Sequence, residues 1–223
     1  MNIKLFFEAI IKVFLGIIII GGLIFLSAGT INYWNGWLLI GILFIPMFIA
    51  GIILMIKAPD LLKKRLNIKE KQGKQKRVVF LSGLMFFLGF IVAGLNYRYG
   101  WNVLPNIVVI ISSIVFLIAY ILYAEVLREN KYLSRTIEVQ ENQKVVETGL
   151  YGIVRHPMYS VTVLLFLSMP LVLGSIISFF IFLVYPFIIA NRIKNEEEFL
   201  EKELKGYLEY KKKVKYKMIP FIW

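Results

Sequence analysis

The sequence predicts an all-α protein of the polytopic membrane class, a bundle of about six transmembrane helices with a polar C-terminal helix. Apolar residues make up 59% of the 223 residues, and charged residues only 18%. That charge content is low for a soluble domain. The apolar residues also form long runs that are nearly free of charge, and each run is about the ~20 residues that a membrane-crossing helix needs. We therefore expect an integral membrane protein.

Four such runs lie in residues 1–127. They are 9–27, 36–56, 78–97 and 106–127, and the only charges in them are Lys12 and Glu125. The first run could instead be a cleaved signal peptide, but no convincing small-residue cleavage site follows it and further spans come after. Residues 1–127 are therefore expected to form transmembrane helices one to four.

A fifth apolar run covers 158–190 and has no charge in 33 residues. It is too long for one ordinary span. Pro170 and the pair Gly174 and Ser175 mark a reversal within it. We expect a helical hairpin here, which makes residues 128–223 a second half with a loop, the hairpin and a C-terminal helix.

The distribution of basic residues predicts the orientation. Nine of the 26 Lys and Arg residues fall in 57–77, five in 128–155 and nine in 192–217. If the N-terminus is cytoplasmic, six crossings put all but Arg98 on or near the cytoplasmic side, as the positive-inside rule favours. Both termini are then cytoplasmic, and we expect the protein in the plasma membrane. Loop 57–77 is expected to be solvated and to attract anionic lipid headgroups, not nucleic acid, since no aromatic residues interleave its charges.

The chain has no cysteine and a single histidine. A disulfide, a thiol nucleophile and a zinc site of the usual kind are therefore not expected, and no metal is predicted. The histidine lies in the segment GLYGIVRHPMYS, residues 149–160. Pro157 fits the first turn of a helix, so His156 is predicted at or near the N-cap of the fifth helix.

A helix start at this point offers free backbone N–H groups and a partial positive charge, to which Arg155 and His156 add donors. Together these groups favour an anion. The alternative is that Arg155 reaches to a lipid phosphate and His156 only caps the helix. Tyr151 and Tyr159 flank the segment and suit either interfacial anchoring or the wall of a planar ligand site.

The polar C-terminal segment, 191–223, follows the last apolar run directly and is rich in helix formers up to Lys205, with a break predicted at Gly206. Leucines recur every four residues and should give it one apolar edge against the ends of the bundle: Leu200, Leu204 and Leu208, with Phe199 beside the first.

Arg192 and Glu196 are four residues apart and share a helix face. They form either a local ion pair, worth a few tenths of a kcal/mol when exposed, or part of the lining of a polar cavity. Their position, directly after the uncharged run, favours the cavity.

The order of these motifs resembles that of the membrane-integral methyltransferases of the isoprenylcysteine carboxyl methyltransferase and phospholipid methyltransferase group. The motifs are G-x-Y-x-x-x-R-H-P-x-Y, R-I-x-x-E-E, G-Y-x-x-Y and a terminal I-P. Here they are Gly149, Tyr151, Arg155, His156, Pro157 and Tyr159; Arg192, Ile193, Glu196 and Glu197; Gly206, Tyr207 and Tyr210; Ile219 and Pro220. The resemblance is specific over roughly the last 80 residues.

The resemblance implies a cytoplasm-facing pocket for S-adenosylmethionine, built from the RHPxY segment, the hairpin and the C-terminal helix. It implies that His156 and Tyr159 hold the amino-acid end of the cofactor and that Glu196 or Glu197 serves its polar groups. Arg155 and Tyr151 are expected to bind the same cofactor. Arg192 and Glu196 are the residues expected to act in catalysis.

The resemblance also implies methyl transfer to a lipophilic acceptor. Our leading expectation is a carboxylate of the isoprenylcysteine type, which needs no base and which Arg192 would orient. An amine acceptor of the phospholipid type would lose a proton to Glu196, Glu197 or water. Many relatives have a small residue at the position of Val161. The larger side chain is expected to affect access of the acceptor more than binding of the cofactor.

Two further alternatives are a non-catalytic membrane protein and a sterol-type membrane reductase. Membrane lipids are the expected surroundings. The sequence predicts no oligomeric state.

Overall fold

The computed structural model describes residues 3–67, 73–134 and 136–223. These residues form helices and connecting segments, with no β-strand in the described ranges beyond one isolated bridge between Val103 and Ser175. A short 3₁₀ turn covers Gly149–Gly152. The α-helices are α1 (Ile3–Ala28), α2 (Trp34–Lys57), α3 (Pro59–Leu66), α4 (Gly73–Tyr99), α5 (Asn106–Glu129), α6 (Pro157–Val172), α7 (Ile176–Phe182), α8 (Tyr185–Glu203) and α9 (Tyr207–Lys213).

The predicted membrane class is confirmed by the lengths and the apolar character of these helices. Five helical segments of the described chain are long and apolar enough to cross a membrane: α1, α2, α4, α5 and the combined stretch Ile176–Glu203. Helix α6 is shorter, at 16 residues. Large apolar side chains are exposed along the outer faces, among them Ile18, Leu26 and Ile121. So much exposed apolar surface is unfavourable in water but favourable in contact with lipid.

The chain reverses between α6 and α7 at the Gly174 and Ser175 pair that the sequence singles out. Gly174 has φ +71°, a conformation that favours glycine, and the Ser175 hydroxyl caps α7 by accepting from the Ser178 N–H at 3.2 Å. The Leu104 N–H donates to the Gly174 carbonyl at 3.0 Å, and the Asn35 amide donates to the Val172 carbonyl at 2.9 Å. The turn therefore lies beside the start of α2 and the α4–α5 loop.

Helices α1 and α4 approach each other closely because α4 presents a glycine to α1. A Cβ built on Gly94 would lie 1.9 Å from the Ser27 hydroxyl oxygen and 2.6 Å from the Ile24 carbonyl oxygen. Ile24 and the neighbouring Ala93 are fully buried at the same contact. Small residues allow such close backbone packing between helices in lipid.

Replacing Gly94 with alanine is expected to lower the free energy of unfolding by about 1–3 kcal/mol, the usual cost of overpacking. Gly83 lies on the same helix, and a Cβ added to it would meet no atom within 4 Å other than those of its own turn of helix. Gly83→Ala should therefore leave stability unchanged or raise it by up to ~1 kcal/mol through better helix propensity. Thermal unfolding of both variants in detergent checks this, and equal stability of the two would show that the α1–α4 contact is not tight.

The prediction of a solvated loop over 57–77 is wrong for part of that range. Residues Pro59–Leu66 form α3, with Pro59 at the helix start, Asp60 in its first turn and basic residues in its last turn. This arrangement matches the helix dipole. Leu61 and Leu62 are buried. This short amphipathic helix was not predicted because charged residues surround its two buried leucines. Residues 68–72 of the predicted loop lie outside the described residues.

The C-terminal segment contains two helices separated by a turn. Gly206 has φ +89° and precedes α9, so the chain breaks where the sequence predicts. Leu200 and Leu204 pack with Tyr207, Tyr210 and Val214 in a small apolar cluster. Leu208, by contrast, is 50% exposed, and its expected place on the apolar edge is wrong. Residues four apart share a face only within one continuous helix, and the turn at Gly206 interrupts the helix before Leu208.

Candidate active site between α6, α8 and the C-terminal segment

His156 is the N-cap residue of α6 and Pro157 occupies the first turn, as the sequence predicts. The imidazole does not cap the helix. Its Nε2 atom instead lies 3.2 Å from Oε1 of Glu197 on α8. The ring is also stacked on that of Tyr159, one turn further along α6, with ring centroids 5.8 Å apart. The imidazole is thus held between Glu197 of α8 and Tyr159 of its own helix.

Arg155 joins three parts of the site. Its backbone N–H donates to the Tyr216 carbonyl at 2.9 Å, and its Nη1 donates to the carbonyls of Val214 and Lys215 at 2.7 and 2.8 Å. Its Nε donates to Oε1 of Glu197 at 2.7 Å. Arg155 therefore anchors the segment after α9 to α8. An anion could bind Arg155 only through the guanidinium N–H groups that these contacts do not use.

Glu197 is buried and lies at the centre of a cluster of basic side chains. Its Oε1 is shared by Arg155 and His156, and its Oε2 lies 3.7 Å from the Nζ atoms of both Lys211 and Lys217. The residue is only 4% exposed. Burying a carboxylate is costly unless it is paired, and these partners supply that pairing. Glu197 thus ties α8 to the start of α6 and to the C-terminal segment.

Glu196 and Arg192, one turn apart on α8, both contact Tyr159. The Tyr159 hydroxyl donates to Oε2 of Glu196 at 2.5 Å and accepts from Nε of Arg192 at 2.8 Å. Nδ1 of His156 lies 4.0 Å from Oε1 of Glu196, whose side chain is 23% exposed. The shared face predicted for Arg192 and Glu196 is therefore used for a contact with α6. The Glu196 carboxylate remains partly open.

These side chains border one cavity of about 110 Å³. Six of the seven predicted site residues line it, from α6, α8 and the segment before α6: Tyr151, Arg155, His156, Tyr159, Arg192 and Glu196. Glu197 is absent from the lining and lies behind the wall that His156 and Arg155 form. Val161, which the sequence linked to acceptor access, is buried in the core and does not line the cavity either.

The cavity has further lining residues that the sequence did not predict as site residues. Leu200, Leu204, Tyr207 and Tyr210 line it from the C-terminal helices, and Val145 and Val146 line it from the segment between α5 and α6. The tyrosines belong to the G-Y-x-x-Y motif, to which no role was assigned. Two tyrosines three residues apart share a helix face, and this spacing is the signal that could have placed them at the site.

Three buried phenols remain protonated at neutral pH. Burial raises the pKa of Tyr207, and the nearby Glu197 and Glu196 carboxylates add to the shift. Burial also raises the pKa of Tyr151 and of Tyr210. Tyr210 donates to the Tyr151 carbonyl at 2.7 Å, and Tyr151 accepts from the Asn130 amide at 2.9 Å. The Tyr207 hydroxyl is buried without a hydrogen-bond partner among the described residues. It is a donor available to a ligand.

The profile of a family described as Phospholipid methyltransferase matches residues 107–205, from the start of α5 to the end of α8. The chain is also 29% identical over 91 residues to the Delta(14)-sterol reductase of Mus musculus, a match that covers 40% of this chain and 22% of the reductase. The chain therefore spans about a fifth of the length of that relative. Residues 107–205, which include all seven predicted site residues, match the phospholipid methyltransferase family of integral membrane methyltransferases, and this confirms the resemblance that the motifs indicate.

Proposed function

We propose that the protein transfers a methyl group from S-adenosylmethionine to a lipophilic acceptor. The observation that carries the proposal is that His156, Tyr159, Arg192 and Glu196 border a single cavity, although they come from two helices and are up to 40 residues apart. The family match covers all four residues. A scaffold protein has no need for such a convergence of ionisable groups, which is typical of functional sites.

The chemistry of the cavity fits this cofactor. The partly open Glu196 carboxylate suits the ribose hydroxyls or the ammonium group, and His156 and Tyr159 lie where they can hold the amino-acid end. The apolar and aromatic side chains of the lining suit the adenine ring, and the Tyr207 hydroxyl, which has no hydrogen-bond partner among the described residues, is a donor for it. A nucleoside of this size needs a pocket of about 300 Å³ or more. Binding of the cofactor therefore requires the cavity to widen.

Glu197 serves this site indirectly. It holds His156 and Arg155 in place by hydrogen bonds, so we assign it a positioning role in cofactor binding. Arg155 has the same role through the C-terminal segment.

S-adenosylmethionine, when bound, supplies an electrophilic methyl group on a sulfonium. The transfer breaks the methyl carbon–sulfur bond, forms a bond from the methyl carbon to the acceptor, and leaves a neutral thioether. The protein contributes alignment and exclusion of water. For our leading acceptor, a carboxylate of the isoprenylcysteine type, no proton moves, and Arg192 orients the two oxygens. For an amine acceptor, Glu196 accepts the proton that the nitrogen loses.

We further propose six membrane crossings, with both termini cytoplasmic, in the plasma membrane. The α6–α7 turn contacts the start of α2 and the α4–α5 loop. These contacts support a hairpin that extends as far across the membrane as the neighbouring helices do. The concentration of Lys and Arg near the site supports a cytoplasmic location of the cavity. An acceptor would then reach the site from the inner leaflet.

Two other activities have a specific observation behind them. The description of the matching family favours a phospholipid amine as the acceptor. The similarity to a sterol reductase favours hydride transfer from a nicotinamide cofactor instead of methyl transfer. The non-catalytic alternative has no such support.

The expected result of a ligand test is that S-adenosylhomocysteine raises the melting temperature of the purified protein. A ligand at 100 times its Kd contributes about 2.7 kcal/mol to stability when it binds only the folded state. His156→Ala should remove most of this gain, whereas Lys194→Ala, an exposed change on α8, should keep it. Stabilisation by NADPH, with none by millimolar S-adenosylhomocysteine, would overturn the proposal in favour of a reductase.

A further inference from the structure

The segment after α9, residues 214–223, runs beside the start of α6. The backbone N–H of His156 donates to the Lys217 carbonyl at 2.8 Å. One turn further along α6, the Ser160 hydroxyl donates to the Met218 carbonyl at 2.5 Å. Ser160 already belongs to the last apolar run of the sequence. The segment therefore reaches the level at which α6 enters the lipid.

Residues 218–223 then form a compact turn, which we call the apolar turn. The N–H groups of Met218 and Ile219 both donate to the backbone oxygen of Trp223 at 2.9 Å, and the Trp223 N–H donates to the Ile219 carbonyl at 3.0 Å. Met218 is buried in the main apolar core, and Trp223 packs against the same core. The Lys217 ammonium lies 5.1 Å from the centroid of the Trp223 ring. Both ends of the apolar turn are therefore fixed to the bundle.

The tip of the apolar turn presents large apolar side chains outward. Phe221 is 87% exposed, Ile222 78% and Ile219 42%. Phe221 has φ +65°, a left-handed conformation that bulky residues rarely adopt. Its ring contacts that of Tyr216, with centroids 5.4 Å apart. At the depth of the first turn of α6, such an exposed apolar group is favourable only in contact with lipid or with another protein.

Basic residues next to the apolar turn favour lipid, and acidic lipid in particular. Lys212 and Lys215 are exposed, and neither forms an ion pair within the part of the chain that the structure describes. Exposed lysines beside large apolar side chains are typical of segments that lie on an acidic membrane surface. A soluble protein partner would have to displace lipid to reach the tip.

From this arrangement we propose that the apolar turn is a membrane anchor. Its three exposed apolar side chains insert at the boundary of headgroups and acyl chains, and Lys212 and Lys215 contact acidic phospholipid headgroups of the same leaflet. The anchor also supports the candidate site, because its segment supplies the backbone acceptors for the Arg155 and His156 N–H groups. Lipid contact thereby holds the start of α6 in place. This inference does not depend on the proposed methyl transfer.

The test uses the absence of cysteine from the chain, since Ile222→Cys gives a single labelling site and keeps Phe221. The full-length protein carries nitrobenzoxadiazole at this position in nanodiscs of phosphatidylcholine and phosphatidylglycerol. A nitroxide on the lipid acyl chains should quench most of its emission. The same label at Glu209→Cys, an exposed position of α9, should keep its emission. Lys212→Gln combined with Lys215→Gln should shift the insertion equilibrium about fivefold for each lysine near the acidic surface.

Two substitutions of Phe221 separate insertion from folding of the turn. Phe221→Asn should reduce the quenching, although asparagine adopts the left-handed conformation more readily than phenylalanine. Phe221→Leu keeps an apolar side chain and should retain the quenching. Hydrogen exchange in the same nanodiscs should be faster at the Arg155 and His156 amides in Phe221→Asn than in the wild type.

An unquenched label at the Ile222→Cys position would overturn the proposal. So would cross-linking of two copies through that cysteine in place of quenching, because the occupant of the surface would then be a second copy of the chain. Quenching that is the same with and without phosphatidylglycerol would overturn the role of the two lysines. Unchanged hydrogen exchange in Phe221→Asn would overturn the link between the anchor and the site.

Discussion

Glu197→Ala is expected to lower the free energy of unfolding by about 3–5 kcal/mol, the usual cost of removing one partner of a buried ion pair. The loss arises because Arg155, only 6% exposed, would keep its charge without the carboxylate that it contacts at 2.7 Å. His156 would lose its contact with α8 as well. Denaturant or thermal unfolding in detergent measures the change.

Glu198 provides the matched control for this experiment. It is the next residue of α8, carries the same charge and is exposed. Glu198→Ala should change stability by no more than ~0.5 kcal/mol, as surface substitutions usually do. Similar unfolding of the two variants would contradict the assignment of Glu197 as the centre of the cluster of basic side chains. Glu197→Gln removes the negative charge but keeps the size of the side chain and an oxygen acceptor for Arg155. It therefore measures the contribution of the charge by itself.

Arg192→Ala is expected to reduce the rate of methyl transfer by about 100-fold, the size of loss that follows when a reacting group is misplaced by ~1 Å. Arg192 donates to the Tyr159 hydroxyl at 2.8 Å and borders the cavity next to Glu196. In the proposed function it orients the acceptor, so stabilisation by S-adenosylhomocysteine should remain. Radiolabelled methyl transfer to membrane lipid and to a synthetic prenylcysteine measures the rate.

Lys194→Ala, on the exposed side of α8, should retain full activity in the same assay. Arg192→Lys should recover little of the loss, because an ammonium does not reproduce the two parallel donors of a guanidinium. If Arg192→Ala abolished cofactor stabilisation as well, Arg192 would belong to the cofactor pocket and not to the acceptor site.

Much of the helical architecture follows from local patterns. The four long apolar runs predict α1, α2, α4 and α5, because the thickness of the membrane sets the length of such a helix. Pro157 predicts the start of α6 and Gly206 the break before α9, because both residues restrict or permit the backbone by themselves. Helix α3 was missed because its two buried leucines are surrounded by charges.

The sequence predicted which residues belong to the candidate site but not how they are arranged in space. Motif order identified His156, Tyr159, Arg192 and Glu196, and their helix spacing put the last two on one face. The sequence assigned both Glu196 and Glu197 to the cofactor, and only Glu196 to catalysis as well. The structure separates them, since successive residues on a helix point about 100° apart: Glu196 faces the cavity and Glu197 faces Arg155.

The sequence by itself determined the membrane class, the helices with strong local signals and the residues of the shared motif, because each depends on neighbours within a few turns of the chain. Only the tertiary structure decided which side chains meet. The contacts of Glu197 with Lys217 and of Arg65 with Met158 join segments that are distant in the chain. The burial of the Tyr207 hydroxyl, which has no hydrogen-bond partner among the described residues, also depends on such segments. Periodicity describes one helix at a time, whereas a site between helices depends on how they pack.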